Sequence, residues 1–591
     1  MKPREKVAEL RKLMQLHQID AWIVPGTDPH QSEYPAEHWR ARAWLSGFKG
    51  SAGTVVVARQ KAGLWTDPRY HIRGRMELEG SGIELYKHGQ PGVPSYMEWL
   101  YSELEVGGVV GLDGNVLSLA EYARLKKRFQ GKGITFVTQY DLVGMLWQDR
   151  PDMPDDPIFL HDDVFAGEAR TSKFQRIRNR LKEQGAHVHL LATLDDIAWT
   201  FNIRGTDVEY NPVAISYAVV SGREARLFIQ GAKVPAEVQA ILEKDGVIIS
   251  RYEEITPFLR HVPAGTVVLV DPEKTSRALV DAIPADCIIQ EGSSIPCLLK
   301  AEKNDVELKG IQASQVRDGV ALVRWMCWLD EQIGNIPHTE ITVAEKLTEF
   351  RSWGKYFRGL SFATICGYQS NSAVGHYSSD PETTPTLQPD GILLIDSGAQ
   401  YLDGTTDITR TLTLGNPTAE EKRAYTLVLK CHISLATRVF PKGTCGAQLD
   451  AVARELLWQQ GWNCRHGIGH GVGCFLNVHE GPQRLREDNI VPLALNMLIS
   501  NEPGVYFEGK FGIRLENLLV TVQKGYTDFG EFYGFETVSL CPFDLDLMDV
   551  SLLSDHERNW LNEYHQRVYD LLSPLLSNAE QKWLYHETRR L

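Results

Sequence analysis

Residues 396–407 read DSGAQYLDGTTD and lie between two segments that resemble β-strands, GILLIDSGAQ before them and TTDITRTLTLG after them. Both flanks are rich in apolar and β-branched residues, which favour strands. Aspartate is depleted in strands, so Asp396 and Asp407 each need a physical reason to be there. Two interpretations are open: they are surface residues beside a turn, or they are ligands of a metal ion.

The geometry of a hairpin decides whether the two aspartates can meet. They are eleven residues apart, so in an antiparallel hairpin with an even loop both project from the same face. The strongest turn signal is Asp403-Gly404. A tight turn there would leave Asp396 and Asp407 four residues out of level, roughly 13 Å apart at about 3.3 Å per residue. A shared metal pair therefore requires a wider loop or a β-bulge.

Further candidate ligands follow downstream. Residues 466–481, HGIGHGVGCFLNVHEG, carry three histidines among glycines, which allow close approach of the backbone and leave room for imidazoles. Glu502 precedes a Pro-Gly pair in ISNEPGVYF, and Glu516 lies inside the apolar segment GIRLENLLV. A carboxylate in such a strand is costly to bury unless it is paired or coordinated. A simple ion pair with Arg514, two residues away on the same face, is the plain alternative for Glu516.

Together these segments supply four carboxylates and one imidazole: Asp396, Asp407, His470, Glu502 and Glu516. Such a donor set suits a pair of divalent ions such as manganese, cobalt or zinc. Without metal, the clustered carboxylates would repel one another strongly. Two neighbouring ions can hold a bridging water, lower its pKa and stabilise a hydrolytic transition state. The residues therefore predict a dinuclear hydrolytic site.

The rest of the chain predicts two smaller domains before this region. Helix and strand signals alternate over residues 1–155, and a similar order returns from Phe174, which indicates a weak internal repeat of two α/β domains at 1–155 and 156–300. A proline-rich linker, RPDMPDDPIF, lies between them. Residues 301–591 mix helices with short strands and predict an α+β domain. Helices are expected near Lys300, at the capping boxes of Thr342 and Thr418, and after Gly443.

Composition excludes several classes of function. The net charge of −14 argues against a nucleic-acid partner, because no basic excess is available to neutralise phosphates. No run of about 18 apolar residues is present, so no membrane span is expected. The nine cysteines are scattered without a C-x-x-C pair, which favours free thiols and a cytoplasmic location.

Four blocks of the sequence resemble the signatures of a known family. DSGAQYLDGTTDITRT, HGIGHGVGCFLNVHEGP, ISNEPGVYF and GIRLEN are similar to those of the pita-bread-fold metallopeptidases, and within them to the long three-domain Xaa-Pro aminopeptidases. The resemblance spans nearly the whole chain. It implies two creatinase-like N-terminal domains and a pita-bread catalytic domain whose C-terminal extension runs through SDHERNWLNEYHQRVYDLL.

The resemblance also implies an activity. Peptides with proline in second position would lose their first residue when a metal-bridging hydroxide attacks the Xaa-Pro bond. Two divalent ions, most suitably Mn²⁺, would be bound, and a homodimer is common in the family. Asp396 would bind the first ion, Asp407 and Glu516 both ions, and His470 and Glu502 the second ion.

Further roles carry over from the resemblance to matching positions. His376, in SAVGHYSS, would steady the scissile carbonyl and the tetrahedral intermediate. His466 and His479 would hold the proline side of the peptide. Arg514 and Tyr506 would support the ligands from behind, and Glu502 would transfer a proton from the water to the leaving nitrogen.

Rival functions remain open at this stage. A prolidase, which cuts only Xaa-Pro dipeptides, shares the ligands but usually has one small N-terminal domain. A catalytically inactive peptide-binding protein of the same fold would bind metal without turnover. A methionine aminopeptidase is disfavoured because those chains are much shorter, and a creatinase-like amidinohydrolase because it works without the metal ligands.

Overall fold

The computed structural model describes all residues from Met1 to Leu591. The chain divides into two compact units. The first comprises Met1–His161 and Glu168–Cys297, and the second comprises Asp162–Gly167 and Leu298–Leu591. None of the helices is both long enough and apolar enough to cross a lipid bilayer.

The first part of the first unit is a six-stranded sheet with helices around it. Its strands are Ala21–Val24 (β1), Thr54–Ala58 (β2), Ala62–Thr66 (β3), Glu84–Lys87 (β4), Val109–Leu112 (β5) and Thr135–Val137 (β6). The helices are Pro3–Leu16 (α1), Ala41–Ser46 (α2), His71–Glu77 (α3), Tyr96–Glu103 (α4), Leu119–Phe129 (α5) and Leu142–Leu146 (α6). The spatial order is β4-β3-β2-β1-β5-β6. The fully buried β1 lies inside the sheet, antiparallel to β2 and parallel to β5.

The chain then forms a second set of elements. The strands are Phe159–Leu160 (β7), Val188–Leu191 (β8), Ile203–Arg204 (β9), Ser216–Ser221 (β10), Ala225–Ile229 (β11), Val247–Ser250 (β12), Val267–Val270 (β13) and Ile288–Glu291 (β14). The helices are Asp163–Ala166 (α7), Arg170–Glu183 (α8), Leu194–Phe201 (α9), Ala236–Lys244 (α10), Ile255–Arg260 (α11), Arg277–Asp281 (α12) and Ile295–Ala301 (α13). Six of these strands build a second sheet in the order β12-β11-β10-β8-β13-β14.

The two sheets have the same topology. In each, the first strand pairs antiparallel with the second and parallel with the fifth, and both edge pairs are parallel. The two domains also contact each other through equivalent positions. Ser118 and Ser276, the N-caps of α5 and α12, form an isolated antiparallel β-bridge. The internal repeat of two α/β domains is therefore confirmed.

The second unit combines long helices with antiparallel strands. The helices are Asp305–Gln332 (α14), Glu340–Ser352 (α15), Ala419–Ala436 (α16), Gly446–Trp458 (α17), Asp555–Leu572 (α18) and Asn578–Glu587 (α19). The strands are Phe357–Leu360 (β15), Ile365–Tyr368 (β16), Ile392–Ser397 (β17), Ala399–Tyr401 (β18), Gly404–Thr405 (β19), Ile408–Thr413 (β20), Val439–Pro441 (β21), Gly469–Gly471 (β22), Glu480–Leu485 (β23), Leu498–Asn501 (β24), Gly504–Phe507 (β25), Phe511–Arg514 (β26), Asn517–Thr527 (β27) and Gly530–Thr537 (β28).

These strands form four small antiparallel groups: β21-β28-β27-β24-β22-β23, β16-β17-β20, β15-β18-β19 and β25-β26. The main core of the unit packs α16, α17 and α18 against the largest sheet. The α+β prediction for this region is confirmed.

The structure confirms the predicted helix starts, with one exception. Thr418 is the N-cap of α16 and forms a capping box with Glu421, as predicted. Thr342 is not an N-cap, so that prediction is wrong: α15 starts earlier, and its N-cap is Thr339. The side chain of Thr342 takes the part expected of a glutamate, because its hydroxyl accepts the Thr339 N–H. This shift makes Glu340 the first residue of the helix.

Candidate active site

The hairpin that carries the two aspartates has a different register from the one predicted. Asp396 pairs with Thr409 in the β17–β20 ladder, and Tyr401 pairs with Gly404 across a two-residue turn. Asp396 and Asp407 are therefore two residues out of level rather than four, which is roughly 7 Å at about 3.3 Å per residue. The prediction that a wide loop or a bulge is needed is wrong, because the turn is centred one residue earlier.

Gly404 is a glycine because it packs closely on helix α14, and not because it forms the predicted turn. A Cβ on Gly404 would lie 2.4 Å from the Oγ of Ser314, so glycine is required for close packing of the hairpin on the helix. Gly404 does not adopt a positive φ, which a type I′ turn at this position would demand. Asp403 forms an ion pair with Arg317 of the same helix, which fixes the turn further.

Three of the predicted ligands form a close cluster. Donor atoms of Asp407, His470 and Glu516 all lie within 4.8 Å of one another. The Nε2 of His470 is 3.5 Å from Asp407 Oδ2 and 3.4 Å from Glu502 Oε1. The Nδ1 of His470 lies 2.9 Å from the carbonyl of Gly471. That contact fixes a proton on Nδ1, so Nε2, which faces the carboxylates, is the nitrogen that would bind a cation in place of its own proton.

Glycines bring this histidine close to the neighbouring strands. A Cβ on Gly469 would lie 2.0 Å from the carbonyl oxygen of Ser500, and one on Gly471 would lie 2.3 Å from that of Glu480. Larger residues would push β22 away from β23 and β24. The glycines thus allow His470 to lie beside Glu502.

Asp396 and Glu516 accept hydrogen bonds from different residues that are not themselves predicted ligands. The Arg514 guanidinium donates to Asp396 Oδ2 at 2.6 Å, so its ion pair is with Asp396 and not with Glu516. The hydroxyl of Thr409 donates to Glu516 Oε2 at 2.8 Å. The remaining oxygens, Asp396 Oδ1 and Glu516 Oε1, are buried and have no hydrogen-bond partner.

Burial and mutual repulsion dominate the electrostatics of the cluster. Burial raises the pKa of Asp396 to about 6; Arg514 opposes this rise, and the charge of Asp407 adds to it. Burial together with the charges of Asp407 and Glu502 raises the pKa of Glu516 well above its usual range. For His470, burial alone would lower the pKa, but the hydrogen bond to Asp407 and the nearby negative charges raise it to about 9. The cluster therefore favours added positive charge.

These observations meet the requirements of a divalent metal site. Two buried carboxylate oxygens lack partners, one imidazole nitrogen lies among the carboxylates, and the donors are mainly oxygen. An uncompensated cluster of this kind is costly in a protein interior unless cations neutralise it. The residues present therefore fit a pair of divalent ions.

Four other predicted site residues, His466, His479, Tyr506 and Arg514, contact this cluster directly or through one another. The ring of His479 stands edge-on to that of His470, with centroids 4.3 Å apart. His466 reaches Tyr506 through a 2.7 Å contact between its Nε2 and the phenolic oxygen, and its Nδ1 is 3.8 Å from Glu502 Oε2. Tyr506 in turn accepts a 2.7 Å hydrogen bond from Arg514. His376 is half-buried in the turn that follows the short helical turn 369–373.

Sequence reasoning missed two hydroxyl residues. Thr409 donates to Glu516 and accepts from Arg514 Nε at 3.2 Å, so it joins a ligand to the arginine. Ser500 accepts the N–H of His470 and donates to Glu502 Oε1 at 3.1 Å. The available signal was strand alternation, since Thr409 and Ser500 each lie two residues from a predicted ligand and thus on the same face.

The C-terminal extension supports the ligand strand through a buried arginine. Arg410 donates to the carbonyl of Glu516 at 2.7 Å and to the side chain of Asn517 at 2.8 Å. The same guanidinium donates to the hydroxyl of Tyr564 in α18 at 3.2 Å. Helix α18, which lies in this extension, therefore forms part of the scaffold behind the cluster.

Family models match the chain from end to end. The Creatinase/Prolidase N-terminal domain matches twice, at residues 6–145 and 149–307. Metallopeptidase family M24 matches residues 309–523, and the C-terminal region of peptidase M24 matches residues 531–591.

Similar proteins cover almost the full chain. A probable Xaa-Pro aminopeptidase P of Laccaria bicolor is 42% identical over 99% of this chain and 93% of its own length. Aminopeptidase P2 of Arabidopsis thaliana is 40% identical over 99% of this chain and 88% of its own length. The crystal structure of X-prolyl aminopeptidase from Caenorhabditis elegans, described as a cytosolic enzyme with a di-nuclear active site, matches with a TM-score of 0.96, 35% identity and 100% coverage of both chains.

The family models, the full-length identity and the shared fold agree with the donor cluster, and they show that this chain belongs to the Xaa-Pro aminopeptidase P enzymes of metallopeptidase family M24, with two creatinase-like domains before a pita-bread catalytic domain.

Proposed function

We propose that this protein removes the first residue from peptides with proline in second position, using two divalent ions bound by Asp396, Asp407, His470, Glu502 and Glu516. The observation that carries the proposal is the convergence of these side chains around buried carboxylate oxygens that lack partners. When bound, the ions supply Lewis acidity and an activated water. Mn²⁺ is our preferred assignment, with Co²⁺ and Zn²⁺ as alternatives, because the donors are mainly oxygen.

The ligands would be divided between the two ions. Asp396 would hold the first ion, and Arg514 fixes its orientation by donating to Oδ2. Asp407 and Glu516 would contribute to both ions. His470 and Glu502 would complete the second, and the contact from His470 to the Gly471 carbonyl keeps Nε2 directed at the carboxylates.

Glu502 moves the proton in this scheme. In the metal-free protein, burial raises its pKa, but the positive charges of His470 and His466 outweigh burial and lower the pKa below its usual value. Glu502 is therefore a carboxylate that can take a proton from the attacking water and pass it to the proline nitrogen. Ser500 holds its Oε1 in place.

Three histidines handle the substrate. His376 donates a hydrogen bond to the carbonyl before proline and stabilises the negative charge that develops there. His466, which Tyr506 orients, and His479, which packs on His470, hold the proline side of the peptide. The rigid proline ring suits a preorganised pocket of this kind, because little conformational freedom is lost on binding.

The first test compares three peptides with the manganese-loaded protein. Release of the first residue from Xaa-Pro-Yaa, blocked by EDTA, is expected. Release from the dipeptide Xaa-Pro alone would instead identify a prolidase, and a Met-Ala-Yaa control should remain intact. Bound metal without turnover of any peptide would favour a peptide-binding protein.

Other assignments belong to the same proposal. We place the domain boundaries at residues 155 and 300, giving domains 1–155, 156–300 and 301–591. We also propose a homodimer, which sedimentation equilibrium can test, and a cytoplasmic location. The free cysteines and the cytosolic C. elegans neighbour support that location.

A further inference from the structure

Glu340 is a buried glutamate that the proposed chemistry does not use. It is the first residue of α15, and its relative exposure is 0%. A carboxylate so placed benefits from the helix dipole, since the N-terminal end of a helix carries partial positive charge. The dipole alone supplies no hydrogen bonds to the two buried oxygens of Glu340. The groups that donate to these oxygens therefore indicate the role of Glu340.

Five neutral donors surround this carboxylate. The backbone N–H of Tyr368 and the amide of Asn371 donate to Oε1 at 2.7 and 3.0 Å. The hydroxyls of Tyr377, Ser379 and Thr384 approach Oε2 at 2.8, 3.2 and 3.3 Å. Both oxygens are therefore fully engaged.

All five donors come from one stretch of chain, residues 368–384, which also contains His376. Asn371 lies before the histidine, and Tyr377 follows it directly. Apart from the short helical turn 369–373, this stretch has no helix or strand after Tyr368. A loop of this length needs side-chain anchors to hold one conformation, because its own backbone supplies few hydrogen bonds.

A second contact fixes the same loop to β26, the strand that ends at Arg514. The N–H of Gly512 donates to Ser372 Oγ at 2.8 Å. A Cβ on Gly512 would lie 2.2 Å from the carbonyl oxygen of Ser372, so glycine is needed for this close packing. His376 is thus carried by a loop fixed to β26 on one side and to Glu340 on the other.

We infer that Glu340 is a positioning residue that acts through His376, holding the loop 368–384 so that the histidine meets the scissile carbonyl. This inference rests on the proposed function, because it takes from it the role of His376. Glu340 itself is fully buried, and none of its hydrogen bonds is to a proposed metal ligand. Its effect on the reaction passes through the geometry of the loop.

A double-mutant cycle tests the inference with the manganese-loaded full-length protein and an Xaa-Pro-Yaa tripeptide. His376→Ala should lower kcat by about 100-fold, the size typical of losing one donor to a developing oxyanion. Glu340→Gln should lower kcat by about 10-fold or more, since small misplacements of a catalytic group are costly. In the double variant, Glu340→Gln should add less than about twofold, because its effect passes through a histidine that is already absent.

Asp544→Asn is the matched control. Asp544 is also a buried carboxylate held by neutral donors, the backbone N–H groups of Thr413, Asp546 and Leu547, none of which belongs to the loop. Whatever its effect on kcat, that effect should be the same with and without His376. Bound manganese should be unchanged in Glu340→Gln, which separates loss of positioning from general collapse of the site.

Tyr377→Phe provides a milder variant that keeps the inference testable where Glu340→Gln folds poorly. It removes one donor and should lower kcat by about threefold, again only when His376 is present. If the losses of kcat in Glu340→Gln and His376→Ala multiplied fully in the double variant, the inference would be overturned while the proposed function would stand. An unchanged kcat in His376→Ala would overturn the role proposed for His376 and the inference together.

Discussion

Glu340 and Glu516 are both buried glutamates of the catalytic unit, but their oxygens have very different surroundings. Glu340 accepts from five neutral donors and leaves no oxygen free. Glu516 accepts from Thr409 on one oxygen, and its other oxygen has no partner while three further carboxylates act on it. A carboxylate satisfied by the protein fixes a loop. One left unsatisfied among like charges is available to bind cations.

The largest expected effect is on turnover. Glu502→Gln keeps the shape of the side chain but cannot accept a proton, so kcat for an Xaa-Pro-Yaa peptide should fall by about 10³-fold. The fold should persist, which circular dichroism can check. Glu508→Gln, at an exposed glutamate six residues away, is the control and should keep wild-type kcat. Full activity in Glu502→Gln would remove the proton-transfer role.

The different surroundings of Glu516 and Glu340 predict opposite stability changes when each is replaced by glutamine. In metal-free protein near neutral pH, Glu516→Gln should raise the free energy of unfolding, because the neutral amide avoids the cost of burying a carboxyl group that is ionised in the unfolded chain. Glu340→Gln should lower it by about 1–3 kcal/mol, because the buried donors to one of its two oxygens lose their acceptor. Thermal unfolding in EDTA measures both.

The direction of the stability change in Glu516→Gln follows from the pKa of Glu516, which folding raises well above its usual value. The folded state therefore holds this proton more tightly, and metal-free wild type should lose stability as pH rises above the ordinary glutamate range. Glu516→Gln should lack this loss and should also bind less manganese. Equal stability changes in the two variants would remove the distinction between a ligand and a loop anchor.

Much of the fold and of the candidate site was predictable because local patterns agree with the final structure. The capping box at Thr418, the apolar strands and the order of the candidate ligands are all visible in the sequence. Each depends on short-range physics, such as side-chain caps, strand alternation and the cost of burying a carboxylate.

What was not predictable depends on tertiary contacts. The turn next to Asp407 follows the packing of Gly404 on α14, which a local turn signal does not contain. The partners of Glu340 come from a loop that starts 28 residues later, and nothing in the spacing links them. Thr339 caps its helix instead of Thr342 because a hydroxyl replaces the expected glutamate.

A smaller effect should come from the hydroxyl that joins a ligand to the arginine. Thr409→Val is nearly isosteric and removes the donor to Glu516, so manganese affinity should weaken by about 10-fold, the low end for loss of a group behind a metal ligand. Thr411→Val is the matched control, because this hydroxyl contacts only the backbone of Arg514. Equal losses of affinity in the two variants would show that the contact to Glu516 has no special role.

The proposed metal site is tested most directly by anomalous scattering from crystals of the manganese-loaded protein, which measures metal content and placement. We expect two manganese peaks per chain, bound among Asp396, Asp407, His470, Glu502 and Glu516, with the unpartnered oxygens of Asp396 and Glu516 as ligands. The carboxylate of Glu340 should have no peak. Absence of manganese from this cluster, or a peak at Glu340, would refute the assignment of Glu516 as a ligand and Glu340 as a loop anchor.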